Sequence, residues 1–80
     1  MEINIKYFGI IADIALKTEE VIVLENDFTT LKLVQSKIEI KYPKILDINY
    51  SIAVNKKFLQ NDIPLKNNDT IAFLPPFAGG

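Results

Sequence analysis

Asp69-Thr70-Ile71-Ala72-Phe73-Leu74-Pro75-Pro76-Phe77-Ala78-Gly79-Gly80 is the stretch whose reading decides this chain. Its first half has the character of a strand, launched by the polar turn Lys66-Asn67-Asn68-Asp69, and its phase puts Leu74 on the side opposite Ile71 and Phe73. Pro75-Pro76 stops the strand, because proline has no N–H to give to a ladder. The same pair fixes two φ angles and favours an extended exit. Gly79-Gly80 does the reverse. Without a Cβ, two glycines let a backbone pass through a narrow channel and let another protein's active site close around it. A stiff exit and a slim end suit a terminus that reaches into a partner's pocket. The expected reactive group is the carboxylate of Gly80.

Upstream, Ile3, Ile5 and Tyr7 alternate with Glu2, Asn4 and Lys6, the period of a half-buried strand. Phe8 breaks this alternation by putting a large aromatic on the polar side. Residues 9–17 read as a loop with a short helical turn, Ile11, Ile14 and Ala15 sharing a side. Residues 18–25 return to strand character around Val21-Ile22-Val23-Leu24, and the short connection predicts antiparallel pairing with the first strand. After the turn residues Asn26-Asp27-Phe28-Thr29, Thr30 is the expected N-cap of an amphipathic helix over 31–42, with Leu31, Val34, Ile38 and Tyr42 on one face. Pro43 ends it, since the residue before a proline is pushed out of the α region. Residues 44–49 read as irregular. Tyr50–Val54 is a third strand, and Asn55-Lys56-Lys57 a tight turn into Phe58-Leu59, with both lysines expected to be solvated. The order is β-β-α-β-β-β: an α+β chain with a mixed sheet and one main helix on one face. Residues 1–74 are expected to form one globular body and residues 75–80 an extended tail.

Composition narrows the chemistry. Eighty residues make one small domain, which buries only about 60% of its unfolded surface. There is no cysteine and no histidine, so the chain has no thiol nucleophile, no imidazole base and none of the usual zinc or haem ligands. A Ser-His-Asp or Cys-His arrangement is excluded. The expected bound metal and bound cofactor are none. Nine lysines face ten acidic residues, for a net charge of −1, and arginine is absent. No basic stripe marks a nucleic-acid interface, and the arginine contacts that read bases or fork onto phosphate are missing. No apolar run approaches the roughly 18 residues that span a bilayer, and the opening residues lack the layout of a signal peptide. The expected location is the cytoplasm. The carboxylates fall at no spacing that suggests a glycosidase or metal site, Asp62 and Asp69 read as turn residues, and Tyr7, Tyr42 and Tyr50 as structural.

The element order resembles the ubiquitin-like β-grasp fold. The ending from Asp69 to Gly80 closely resembles the C-terminus of the small, sulfur-carrier subunit of molybdopterin synthase, the MoaD type. Ala53-Val54-Asn55 followed by Phe58, the first strand ending in an aromatic, and the threonine-started helix are similar to that family as well. The resemblance covers the whole chain.

It implies a mechanism. An adenylating enzyme of the MoeB type uses ATP to convert the Gly80 carboxylate to an acyl-adenylate, and sulfur from a donor displaces AMP to leave a thiocarboxylate. The loaded tail, Pro75 to Gly80, enters the large MoaE-type subunit and supplies sulfur to cyclic pyranopterin monophosphate. Gly79, Ala78, Phe77, Pro76 and Pro75 would serve access. Catalytic side chains would belong to the large subunit, in a heterotetramer. The resemblance also assigns Phe8, Phe58 and Leu74 to an apolar docking face for both partners. One departure is Ala12, which precedes Asp13 where the family often carries a basic residue. A carrier for thiamine or tRNA thiolation on the same fold, and a ubiquitin-like protein modifier, are the alternatives that a double glycine also fits. The proline pair and the length favour the molybdopterin carrier.

Overall fold

The computed structural model describes residues 1–59 and 61–76. Its five strands are β1 (Glu2–Tyr7), β2 (Glu19–Val23), β3 (Ser51–Val54), β4 (Lys57–Phe58) and β5 (Thr70–Leu74). They form one mixed sheet in the order β2-β1-β5-β3-β4. Strand β5 lies at the centre, parallel to β1 with Ile5 beside Ile71 and Tyr7 beside Phe73, and antiparallel to β3 with Ala53 opposite Ala72. Strands β1 and β2 pair antiparallel, as their proximity in sequence suggested. The strand that the C-terminal stretch encodes is therefore the one the sheet is built around.

The connection between β1 and β2 is more regular than the sequence suggested. It holds helix α1 (Gly9–Ala15), of seven residues. Ile11 and Ala15, one turn apart, are both buried, so tertiary burial supports a helix whose isolated nucleation would be unfavourable. Residues 44–49 are likewise not irregular throughout: Pro43–Asp47 is a 3-10 helix that begins at proline and buries Ile45 completely. Between them lies helix α2 (Leu31–Lys41), which buries Leu31, Val34 and Ile38.

Both α-helices pack on one face of the sheet, against Ile3, Ile5, Tyr7, Ile52, Ile71 and Phe73. Each large apolar side chain fully buried there contributes about 1.5–3 kcal/mol of transfer free energy. At the start of α2, the Thr30 hydroxyl accepts from the Leu33 N–H at 3.4 Å, as the cap assignment requires. The sequence did not reveal the second cap: Asp62, from the loop before β5, accepts from the Lys32 N–H at 2.8 Å. Its negative charge sits where the helix dipole favours one.

A polar cluster closes the other end of the core. Glu20 on β2 accepts from the Tyr7 and Tyr42 hydroxyls, the latter at 2.9 Å, and from the Lys41 ammonium at 2.6 Å. Burial pushes the Glu20 carboxyl upward, but the bonds from Lys41, Tyr7 and Tyr42 outweigh it and hold its pKa below 4.5. Tyr7 and Tyr42 stack edge to face at 5.7 Å between ring centroids. These tyrosines act structurally, joining β1, β2 and the end of α2. Among the described residues no helix is long and apolar enough to cross a membrane.

Candidate functional site

Among the described residues, no helix or strand lies over the sheet face away from the helices. Strand alternation puts Asn4 and Lys6 of β1, Thr70, Ala72 and Leu74 of β5, and Ser51 and Ala53 of β3 on this side. Phe58 of β4 stands opposite Ala53, and Ala53 opposite Ala72, so all three share the face. Two alanines thus form a low floor in the middle of the sheet. Larger side chains stand around it, leaving a shallow depression of about 360 Å³ bordered by Lys6, Phe8 and Lys56.

Phe8 follows β1 and starts α1. Its extended backbone, φ −127° and ψ 149°, keeps the strand direction, while its carbonyl accepts from the Ile11 N–H at 3.1 Å and opens the helix. Its own N–H donates to the Phe73 carbonyl at 3.2 Å, which carries the β1–β5 pairing one residue further. The ring is therefore held on the open face at the end of the sheet where β5 finishes, and 43% of the residue stays exposed. Phe58 is 60% exposed at the other edge, and Leu74 is half-buried between them in sequence of strands. Exposed large apolar residues at these positions give the sheet an apolar surface with nothing in the chain to cover it among the described residues.

The end of β5 is fixed from below. Gly9, at φ +55°, lies against Pro75: a Cβ on Gly9 would sit 2.9 Å from Pro75 Cγ. The left-handed backbone and the close approach both require glycine. Pro75 is half-buried by this contact and Pro76 is exposed. Phe77, Ala78, Gly79 and Gly80 lie outside the described residues.

The other end of β5 is tied by Asn55. Its N–H donates to the Thr70 carbonyl at 2.8 Å, its side-chain oxygen accepts from the Thr70 N–H at 3.0 Å, and its side-chain NH2 donates to Asp69 at 3.0 Å. Asp69 also accepts from the Lys66 N–H at 2.7 Å. Asn55 and Asp69 are thus one lock that sets the register of the central strand. The sequence singled out Ala53-Val54-Asn55 without showing this role. It also missed the contribution of Ala53 and Ala72, whose signal was the alternation of small with large residues along two strands that pair.

The described fold is that of a ubiquitin-like β-grasp protein, with five mixed strands and two helices on one face. The ThiS family matches residues 5–80, and the chain belongs to that family. A putative molybdopterin converting factor subunit 1 from Pyrococcus furiosus is similar, with a TM-score of 0.84 at 23% identity over 96% of this chain and 99% of that one. A complex of subunits 1 and 2 of the molybdopterin-converting factor from Helicobacter pylori contains a similar chain, with a TM-score of 0.73 at 28% identity and all of both chains covered. The small archaeal modifier protein 1 of Methanosarcina acetivorans matches with a TM-score of 0.78 at 22% identity, over 99% of this chain and 96% of that one.

Proposed function

We propose that this chain is the sulfur-carrier subunit of a molybdopterin synthase, and that its working group is the Gly80 carboxylate. The observation that carries this reading is the convergence of the open apolar face on the exit of the central strand. Phe8 and Leu74 stand where β5 ends, and Pro75, seated on Gly9, sets the direction in which the chain leaves. A partner that covers the face receives the tail in a fixed orientation. Family membership through residue 80 supports a working end at that position. The complex of subunits 1 and 2 among the similar structures supports a large-subunit partner.

The chemistry follows from what a carboxylate lacks. It is a poor electrophile, so an adenylating enzyme first joins a carboxylate oxygen to the α-phosphorus of ATP and releases pyrophosphate. Sulfur at the sulfide level (HS⁻) from a donor then attacks the acyl carbon, displacing AMP and releasing a proton, to leave the thiocarboxylate. This group is ionised at neutral pH and is a good sulfur nucleophile, as delivery to cyclic pyranopterin monophosphate demands. Acids and bases for both stages come from the partners, consistent with a chain that has no His or Cys. In this reading the chain works in the cytoplasm, within a heterotetramer.

Deleting Gly80, or adding one residue after it, tests the proposal. Both variants are expected to fold normally and to form no molybdopterin when supplied with activating enzyme, large subunit and precursor. Unimpaired product formation by either one overturns it.

A further inference from the structure

The turn between β3 and β4 contains a residue its backbone does not favour. Asn55 and Lys56 form a two-residue hairpin loop, both at positive φ, +50° and +73°. Such loops take asparagine readily at the first position and glycine at the second. Asn55 fits, and its side chain is used in the lock on β5. Lys56 stands where glycine would be free of strain, and a left-handed backbone costs an L-residue roughly 1–2 kcal/mol. Strain alone assigns nothing, since Leu16 at the end of α1 also has a left-handed φ of 60°.

Lys56 adds what Leu16 lacks, a position in the candidate site. It borders the depression on the open face together with Phe8, Ala53 and Ala72. Among the described residues it makes no hydrogen bond and has no carboxylate within 4.0 Å, the ion pairs there being Lys17–Glu20 and Lys41–Glu20. Lys6 borders the same depression and also lacks an ion pair, although Glu19 is its cross-strand neighbour. In a chain of net charge −1, the residues that line this depression thus include two lysines and no carboxylate; Glu19 stands on the same face beyond Lys6, which leaves Lys56 as the cation with no acidic cross-strand neighbour. A surface of that pattern is complementary to one with an apolar centre and acidic flanks.

We propose that Lys56 is a specificity contact for the large-subunit partner, pairing with a carboxylate on the partner's surface while the partner's apolar centre covers Phe8, Ala72 and Ala53. The strained turn keeps the ammonium on the face. This rests on the molybdopterin synthase reading above and deepens it.

The test compares the unaltered chain with Lys56→Gly, Lys56→Arg and Lys56→Glu, measuring melting temperature and affinity for subunit 2 of the molybdopterin-converting factor from the same organism. Lys56→Gly is expected to raise the melting temperature by relieving the turn. It is also expected to weaken binding on the order of tenfold at low salt and to flatten the salt dependence. Lys56→Arg should retain affinity, and Lys56→Glu should bind more weakly than Lys56→Gly. A Lys56→Gly variant that melts higher yet binds with unchanged affinity and salt dependence overturns this inference alone. No binding by the unaltered chain overturns the functional reading along with it.

Discussion

Pro75 packs directly on Gly9, with only 2.9 Å between Pro75 Cγ and the place a Gly9 Cβ would occupy. The two residues are 66 positions apart in sequence, yet this contact joins the start of α1 to the exit of the central strand. It seats Pro75 on the folded body. Gly9→Ala should therefore act twice. The positive φ alone costs at least about 1 kcal/mol in stability for a residue with a Cβ. Displacement of Pro75 should then lower the rate of sulfur delivery further than the loss of folded protein explains. Activity per folded molecule, normalised by a denaturation curve, checks this. An alanine variant with the full rate per folded molecule would show that the seat of Pro75 does not aim the tail.

Phe8 and Phe58 separate folding from docking. Phe58 is mostly exposed, Phe8 is partly exposed and neither belongs to the buried core cluster, so their removal takes little from the core, and surface changes usually alter stability by no more than about 0.5 kcal/mol. In a covered interface, an aromatic anchor contributes about 2 kcal/mol or more. Phe8→Ala and Phe58→Ala should keep the melting temperature within a few degrees while weakening binding of the large subunit on the order of thirtyfold. Titration calorimetry beside thermal melts distinguishes this from a structural role, in which stability would fall and affinity would hold.

Glu20 should give the fold an acid sensitivity of identifiable origin. Its pKa in the folded chain is held below 4.5 by Lys41, Tyr7 and Tyr42, against the upward push of burial. The unfolded chain consequently binds that proton more readily. The stabilisation is full above pH 4.5 and is lost as pH falls through the depressed folded value. Glu20→Gln should be less stable than the unaltered chain at pH 7, and the gap should narrow in acid. Urea unfolding at pH 7 and pH 3 measures it; a gap of constant size would mean that Glu20 is not the coupled group.

Much of this architecture was legible because the strands announce themselves by alternation. Ile71 and Phe73 read as core and Leu74 as the opposite face, and β5 has that arrangement. Thr30 read as a cap and is one. Phe8 stood out as an aromatic out of phase, and the open face explains it. Helix α1 was less visible because Ile11 and Ala15 gain their partners only when the sheet assembles beneath them. Asp62 read as a turn residue, since the helix end it caps lies 30 positions away in sequence. Lys56 read as a solvated turn residue and is exposed; what was not legible is its place beside Lys6 and Phe8, which come from the other end of the chain and are brought there only by the strand order.

The central claim concerns one group, the carboxylate of Gly80, and intact-mass measurement reads it most directly. The chain, incubated with its adenylating enzyme, ATP and a sulfur donor, should gain the mass of one oxygen-to-sulfur exchange, located by fragmentation at Gly80. A variant lacking Gly79 and Gly80 should gain nothing. Full conversion of that variant, or isopeptide adducts on lysines of other proteins with no thiocarboxylate at Gly80, would contradict the account.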